Sequence, residues 1–291
     1  MMTDPCPALI SQDWLKANLR RPSVRILDAS FFLPNQGRKA SEEYQREHIQ
    51  GALFFDIDAI ADRSSDLPHM LPSPEQFADA AGELGIANDT HVVVYDNNSF
   101  MASARVWWTF RVFGHERVSV LDGGLKRWKA MNWPLEERIE TPKPKPYRAQ
   151  FRADLLCTLD QVMQRLEDPN TRIIDARSAA RFAGTEVEPR PGLRSGHIPQ
   201  SYNLPFAELV DAESFCLKSA GEIAKRFDNL GISLDKSLIT SCGSGVTASI
   251  LALALYCIGK TEVAVYDGSW SEWGTRADTP IESEQSSAPM N

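Results

Sequence analysis

Length, composition and charge are those of an ordinary globular protein. The chain has 291 residues, of which 43% are hydrophobic and 24% are charged, and its formal net charge is -8. This length suits two domains of common size. The negative net charge makes binding to nucleic acid or to an anionic membrane surface unfavourable. No apolar run is long enough to span a membrane.

The N-terminus and the cysteines bear on the cellular compartment. The first residues (MMTDPCPALISQDW) show neither the pattern of a secretory signal nor that of a transit peptide, which predicts a cytoplasmic protein. The chain has an odd number of cysteines and no CxxC pair, so we expect mostly structural cysteines and no metal site. The chemistry predicted below calls for no cofactor. Besides Cys242, discussed below, the sequence leaves open whether any cysteine is regulatory: Cys6, Cys157, Cys216 and Cys257.

The two halves of the chain repeat each other. Four short segments recur about 147 residues later, which indicates a tandem domain duplication. The matched pairs are Val24–Ala29 with Arg172–Ala176, Glu47–Ile49 with Gly196–Ile198, Leu84–Ile86 with Leu230–Ile232, and Val120–Gly123 with Val265–Gly268. Alternating prolines in Thr141–Pro146 favour an extended connector. We therefore predict a first domain over 1–140, a linker over 141–150, a second domain over 151–281 and a flexible tail over 282–291.

Short apolar runs alternate with amphipathic helices in each half. Ser73–Gln76 and Thr158–Gln161 carry the capping-box pattern of helix starts. His91–Tyr95 and Ser237–Thr240 are continuous apolar runs, typical of central parallel strands that are buried on both faces. The alternation predicts two α/β domains, each with a mainly parallel sheet.

One predicted strand leads directly into a glycine loop that begins with a cysteine. The loop reads Cys242-Gly-Ser-Gly-Val-Thr-Ala, and the apolar segment Ser249–Ile258 that follows predicts a helix. Ligands of parallel α/β sheets bind at the carboxyl ends of the strands. Gly243 and Gly245 allow backbone N–H groups to converge as an anion nest, and the start of the helix adds positive potential. This environment favours a thiolate, so we predict that Cys242 is a nucleophile that carries a persulfide.

The first half has Asp96 at the position equivalent to Cys242. A carboxylate cannot accept a sulfane sulfur, so we expect the N-terminal domain to be catalytically silent. The duplicated halves, the silent first copy and the CGSGVTA loop resemble the two-domain rhodanese superfamily, and within it the 3-mercaptopyruvate sulfurtransferases. The resemblance runs from the first strand to Asp267–Trp270 and implies a five-stranded parallel sheet flanked by helices in each half. It also implies an enzyme that moves sulfur from 3-mercaptopyruvate through a Cys242 persulfide to a thiol, a dithiol protein or cyanide, and releases pyruvate.

The loop bears on the choice of sulfur donor. Rhodaneses that use thiosulfate resemble one another in placing Arg and Lys where this chain has Gly243 and Ser244. A neutral loop suits a monoanionic keto acid better than the thiosulfate dianion. Thiosulfate sulfurtransferase activity remains an alternative, as does a non-enzymatic rhodanese-like binding module, which would ordinarily have lost the thiol. A cysteine phosphatase requires Cys-x5-Arg, but Ala248 stands at that place.

The resemblance also assigns the remaining site residues. Arg181 and Arg190, which bracket a short Gly/Pro-containing segment, are expected to grip the donor's carboxylate and keto oxygen, because a guanidinium matches a carboxylate in two places. The substrate-binding set is completed by the loop residues Gly243, Gly245, Val246 and Thr247. Asp58, His69 and Ser244 are expected to form a proton relay.

Several other side chains receive structural interpretations. We expect His48 and His197, which occupy equivalent positions, to fix a turn in each half. Asp175 is expected to end a strand and to brace Arg181. The aromatic cluster around Trp107 is predicted to be core, and Trp270 and Trp273 are predicted to line the cleft.

Overall fold

The structure, a computed structural model, describes residues 6–33 and 36–283. It divides into two compact units. The first unit runs to Ser64 and also contains Leu71–Arg152 and Val210–Leu217; the second contains Ser65–Met70, Ala153–Leu209 and the chain from Lys218 onwards. The contacts of the predicted linker, 141–150, place it with the first unit, and the domain limits drawn from the sequence stay predictions.

The predicted tail begins with an ordered pairing. Glu282 forms an isolated antiparallel bridge with His197, and two backbone hydrogen bonds join these residues. The rest of that segment, 284–291, lies outside the described residues.

The first unit contains a parallel sheet with helices on it. Its strands are β1 (Leu9–Ile10), β2 (Val24–Asp28), β3 (His48–Ile49), β4 (Ala52–Phe54), β5 (His91–Tyr95), β6 (Val118–Leu121) and β7 (Leu135–Glu136). Its helices are α1 (Gln12–Asn18), α2 (Ala40–Arg46), α3 (Pro74–Glu83), α4 (Ser103–Val112) and α5 (Gly124–Ala130). Five strands pair in parallel in the order β1-β6-β5-β2-β4, and β3 and β7 form a separate antiparallel pair.

The second unit repeats this architecture. Its strands are β8 (Leu156–Cys157), β9 (Thr171–Asp175), β10 (Tyr202–Asn203), β11 (Ser237–Ser241) and β12 (Val263–Tyr266). Its helices are α6 (Leu159–Arg165), α7 (Ala179–Ala183), α8 (Ala220–Asn229), α9 (Ala248–Cys257) and α10 (Ser269–Trp273), with 3-10 turns at Ala153–Leu155 and Phe206–Leu209. All strand pairs are parallel, in the order β10-β9-β11-β12-β8. The predicted fold class, two tandem α/β domains with five-stranded parallel sheets, is confirmed.

The local sequence signals account for these elements. Both predicted capping boxes are present: the Ser73 and Thr158 hydroxyls each accept a backbone N–H at the start of α3 and α6. β5 is buried along its whole length, and β11 is buried except at Ser237, as expected for central strands. His48 and His197 each bond a carbonyl oxygen through Nδ1 at 2.7 Å, which confirms their equivalent structural roles.

The core contains more aromatic side chains than the sequence indicated. Trp107 is buried on α4, as predicted. Trp270 and Trp273, however, are fully buried in the core of the second unit, so the prediction that they line a cleft is wrong. The reason is that α10 packs its aromatic side chains into the core with Ile173 and Tyr266.

The sheet order creates a topological switch point between two central strands of each unit. In the second unit β9 and β11 are neighbours, and their last residues, Asp175 and Ser241, lie side by side. The connections of these strands leave in opposite directions, to β10 on one side and to β12 on the other. Such a switch point is where parallel α/β sheets bind ligands.

Candidate active site

Cys242 lies directly at this switch point. It follows the last residue of β11, is 2% exposed, and is joined to α9 by a short loop. Gly245 has φ +73°, a left-handed conformation that glycine adopts without the steric cost of a side chain. The predicted sequence of strand, tight glycine loop and helix is therefore confirmed.

The first turn of α10 holds the backbone of the Cys242 loop. Ser269 Oγ accepts hydrogen bonds from the backbone N–H groups of Cys242 and Gly245, both at 3.1 Å, and donates to the Tyr266 carbonyl at 2.7 Å. The N–H of Trp270 donates to the Cys242 carbonyl at 3.0 Å. One hydroxyl therefore ties together the two ends of the turn that presents the thiol.

A second serine of α10 holds the residue next to the cysteine. The N–H and the hydroxyl of Ser271 both donate to the Gly243 carbonyl, at 2.9 and 2.6 Å. Sequence reasoning missed Ser269 and Ser271. The available signal was their position, directly after the second copy of the repeated Asp-Gly pair.

The equivalent loop of the first unit encloses a negative charge. The Asp96 carboxylate accepts four backbone N–H groups at 2.8 to 3.1 Å, from Asn98, Phe100, Ala102 and Ser103. The N–H of Leu125 donates to the Asp96 carbonyl at 2.9 Å, as Trp270 does to Cys242. Because the two loops occupy the same place in a duplicated fold, this arrangement indicates that the Cys242 loop also suits an anion.

Both predicted substrate arginines lie against the Cys242 loop. A Cβ atom added to Gly243 would be 3.1 Å from Arg181 Nη2 and 3.7 Å from Arg190 Nη1. Arg190 Nη2 also donates to Ser244 Oγ at 3.4 Å. The structure thus brings together two guanidinium groups beside the residue that follows the thiol, in one compact unit.

A buried carboxylate positions Arg181. Glu188 Oε2 is 2.5 Å from Arg181 Nη2, and Glu188 Oε1 accepts from Arg181 Nε at 3.2 Å and from Arg177 Nη1 at 2.7 Å. Glu188 is 6% exposed. Sequence reasoning missed Glu188 and Arg177, although Glu188 stands between the two arginines that the sequence singled out.

Asp175 braces a different arginine from the one expected. Its carboxylate bonds Arg177, with contacts of 2.6 to 3.1 Å, so the expectation that it braces Arg181 is wrong. Burial opposes the charge of Arg177, but Asp175 and Glu188 outweigh burial and raise the pKa of the guanidinium. That guanidinium also lies 4.3 Å from the centre of the Trp270 ring.

The remaining loop residues are placed as follows. Val246 is buried, and Thr247 occupies the N-cap position of α9 without making a capping hydrogen bond through its side chain. Neither placement tests their role as substrate ligands, which stays a prediction.

The proton relay also stays a prediction. His69 is 9% exposed, belongs to the same compact unit as Ser244, and has φ +61°. Asp58 is an exposed residue of the first unit, where its N–H donates to Asp56 Oδ1 at 2.9 Å. A left-handed backbone at a histidine is uncommon and is often found at functional sites.

Three cysteines, Cys6, Cys157 and Cys216, are in environments that favour the neutral thiol. None of the five cysteines, all in the described part of the chain, forms a disulfide. Burial raises the pKa of Cys157 to about 11 and also raises those of Cys6 and Cys216. Cys6 is partly buried, and its Sγ lies 2.9 Å from His91 Nε2.

The fold and the site define a duplicated α/β protein in which one copy presents a cysteine on a glycine-containing loop beside two arginines. A family model for the rhodanese-like domain matches residues 11–131 and 158–276. The chain therefore belongs to the rhodanese family.

Individual relatives cover nearly the whole chain. The chain is 50% identical to thiosulfate/3-mercaptopyruvate sulfurtransferase 1, mitochondrial, of Arabidopsis thaliana, over 96% of this chain and 79% of the relative. It is 45% identical to human 3-mercaptopyruvate sulfurtransferase, over 94% and 93%. Among solved structures, it is similar to the 3-mercaptopyruvate sulfotransferase SseA from Escherichia coli, with 41% identity, a TM-score of 0.83, and coverage of 91% and 99%.

The described residues contain neither a membrane-spanning helix nor a cluster of metal ligands. No helix among them is long and apolar enough to cross a membrane. No group of three or more His, Cys, Asp or Glu side chains among them could hold a metal ion.

Proposed function

We propose that this protein is a sulfurtransferase that takes sulfur from 3-mercaptopyruvate, carries it as a persulfide on Cys242, and passes it to a second nucleophile. The observation that carries the proposal is the placement of the Arg181 and Arg190 guanidinium groups against Gly243, the residue next to the thiol. Two cations beside a buried cysteine on an anion-binding loop provide what an anionic sulfur donor requires.

The first half-reaction follows from this arrangement. The donor's carboxylate binds the two arginines, and the Cys242 thiolate attacks the donor's sulfur. A sulfur–sulfur bond forms, the carbon–sulfur bond breaks, and its electron pair stays on carbon as the enolate of pyruvate. The proton of the donor's thiol is transferred to that carbon, so pyruvate leaves and the persulfide remains as an anion.

We assign that proton transfer to Asp58, His69 and Ser244. Ser244 supports the assignment because it belongs to the Cys242 loop and its hydroxyl accepts from Arg190. A carboxylate would orient the imidazole, and the imidazole would polarise the hydroxyl next to the reacting sulfur.

The second half-reaction returns the enzyme to its starting state. A thiol, a reduced dithiol protein or cyanide attacks the outer sulfur of the persulfide, and Cys242 leaves as a thiolate. The positive end of α9, which follows the loop, favours the anionic sulfur in both steps.

The choice of sulfur donor depends on the site, because the relatives include proteins named for thiosulfate and proteins named for 3-mercaptopyruvate. Gly243 and Ser244 add no fixed cation to the loop, which favours the monoanionic keto acid over dianionic thiosulfate. Thiosulfate remains the alternative donor, and the presence of two arginines is consistent with weak activity toward it. A non-enzymatic binding module would have no use for Cys242 in this setting.

We also propose that the protein acts in a reducing compartment, the cytoplasm. The proposal rests on the five cysteines, all within the described residues, none of which forms a disulfide. Because the Arabidopsis relative is described as mitochondrial, cell fractionation followed by immunoblotting is the direct test. Recovery in a membrane-enclosed organelle would contradict the proposal.

The donor assignment is tested by comparing kcat/KM for 3-mercaptopyruvate and thiosulfate with the same dithiol acceptor. We expect the keto acid to be preferred by at least about tenfold, and Arg181→Lys to weaken that donor through the loss of its planar geometry. Arg172→Lys, on β9, is the matched control and should change neither value. Preference for thiosulfate would contradict the choice of donor, and no turnover with either would contradict sulfur transfer.

A further inference from the structure

We infer that Glu188 determines donor specificity, by neutralising Arg181 so that the site accepts a monoanion and disfavours a dianion. This inference rests on the proposed function and adds a residue to it. It concerns a buried carboxylate that forms an ion pair with one of the two proposed substrate arginines, Arg181.

The geometry ties the Glu188 charge to the substrate side of the site. Arg181 offers Nε and Nη2 to the two oxygens of Glu188, at 3.2 and 2.5 Å. The same Nη2 lies 3.1 Å from the Cβ position of Gly243. Within the described part of the chain, Arg181 Nη1 makes no hydrogen bond, so that edge of the guanidinium is left for an incoming anion.

Glu188 offsets positive charge on the donor side of the site. Its carboxylate forms ion pairs with Arg177 and Arg181. In the proposed reaction the Cys242 thiolate adds a further negative charge beside the donor, so each negative charge on the donor meets repulsion. A dianion adds a second negative charge in a partly buried site, where an uncompensated charge is costly.

A structural role for Glu188 predicts a different outcome from a role in specificity. If Glu188 only held Arg181 in place, its loss would weaken both donors equally. If its charge selects the donor, its loss must help the dianion more than the monoanion, because the dianion carries twice the charge near the missing carboxylate. The ratio of kcat/KM values for thiosulfate and 3-mercaptopyruvate separates the two cases.

The test is Glu188→Gln, which keeps the shape of the side chain and removes its charge. Removing one unit charge beside the donor, in a partly solvated site, corresponds to a rise of roughly three- to tenfold in the thiosulfate/3-mercaptopyruvate ratio. Glu188→Asp retains the charge and should leave the ratio unchanged while lowering both rates. Glu186→Gln is the matched control: it removes an equal charge from an exposed side chain of the same segment, and should leave the ratio unchanged.

A binding measurement on the wild-type protein keeps the inference testable if Glu188→Gln does not fold. Pyruvate and sulfate are compared as inhibitors competing with 3-mercaptopyruvate, and the monoanion should bind more tightly. Tighter binding of sulfate, or an unchanged donor ratio in folded Glu188→Gln, would overturn the inference. Failure of the proposed function is distinguishable, because it would appear as a preference of the wild-type protein for thiosulfate.

Discussion

Replacing Ser269 by alanine tests whether α10 holds the Cys242 loop in its reactive form. The hydroxyl accepts the N–H groups of Cys242 and Gly245, and both bonds are buried. Removing it leaves two buried donors unpaired, each at a cost of about 1–3 kcal/mol. Allowing for partial relaxation of the loop, we expect Ser269→Ala to destabilise the second unit by about 2–4 kcal/mol.

Hydrogen–deuterium exchange of the loop and urea unfolding measure this effect together. Exchange of the loop amides should speed up by at least roughly 30-fold, the equivalent of about 2 kcal/mol, and the rate of persulfide formation should fall. Ser249→Ala is the control, because the Ser249 hydroxyl is also buried but donates, at 3.1 Å to the Gly245 carbonyl, and its loss orphans no N–H. If the two variants behave alike in exchange and in rate, Ser269 does not hold the loop.

Four further predictions use other parts of the chain. Asp96→Ala removes the acceptor of four backbone N–H groups and should lower the free energy of unfolding of the first unit by about 3 kcal/mol or more in urea titrations. An unchanged free energy of unfolding would contradict a stabilising role for these four hydrogen bonds. Burial lowers the pKa of His91 to about 4. The unfolded state, with a pKa near 6.5, therefore takes up a proton first, and stability is complete above pH 6.5 and falls toward pH 4; His91→Gln should flatten that slope in urea titrations at several pH values. Because burial raises the pKa of Cys157 to about 11, iodoacetamide at pH 7 should alkylate it far more slowly than Cys242, as peptide mass spectrometry would show. Gly243→Ala places a Cβ 3.1 Å from Arg181 Nη2, which must shift by a few tenths of an ångström, so KM for the donor should rise by roughly three- to tenfold with a smaller change in kcat.

The sequence predicted the features that depend on local pattern. Apolar runs and glycine positions in the sequence were enough to predict the repeat, the central strands β5 and β11, and the start of α9. These signals are local and do not depend on which distant residues come into contact. The position of Cys242 at the carboxyl end of a central strand could also be predicted. In a parallel sheet, a strand that leads into a glycine loop and a helix ends on the side where ligands bind.

Features that depend on partner choice could not be read from the sequence. Asp175 and Arg181 were expected to form an ion pair. Instead, the Asp175 carboxylate pairs with Arg177, which lies closer to the end of β9. Arg181 pairs with Glu188. Opposite charges in one short segment permit several pairings, and only the fold selects one. A tryptophan such as Trp270 is equally compatible with the wall of a cleft and with the core. The packing of α10 places it in the core.

The central claim, that Cys242 carries the transferred sulfur, is tested most directly by intact mass spectrometry. The protein is incubated with 3-mercaptopyruvate and separated from excess donor, and its intact mass is measured before and after cyanide is added. We expect one added sulfur on the wild-type protein, its removal by cyanide as thiocyanate, and no added sulfur on Cys242→Ser. Wild-type protein that gains no sulfur, or Cys242→Ser protein that gains one, would contradict the claim.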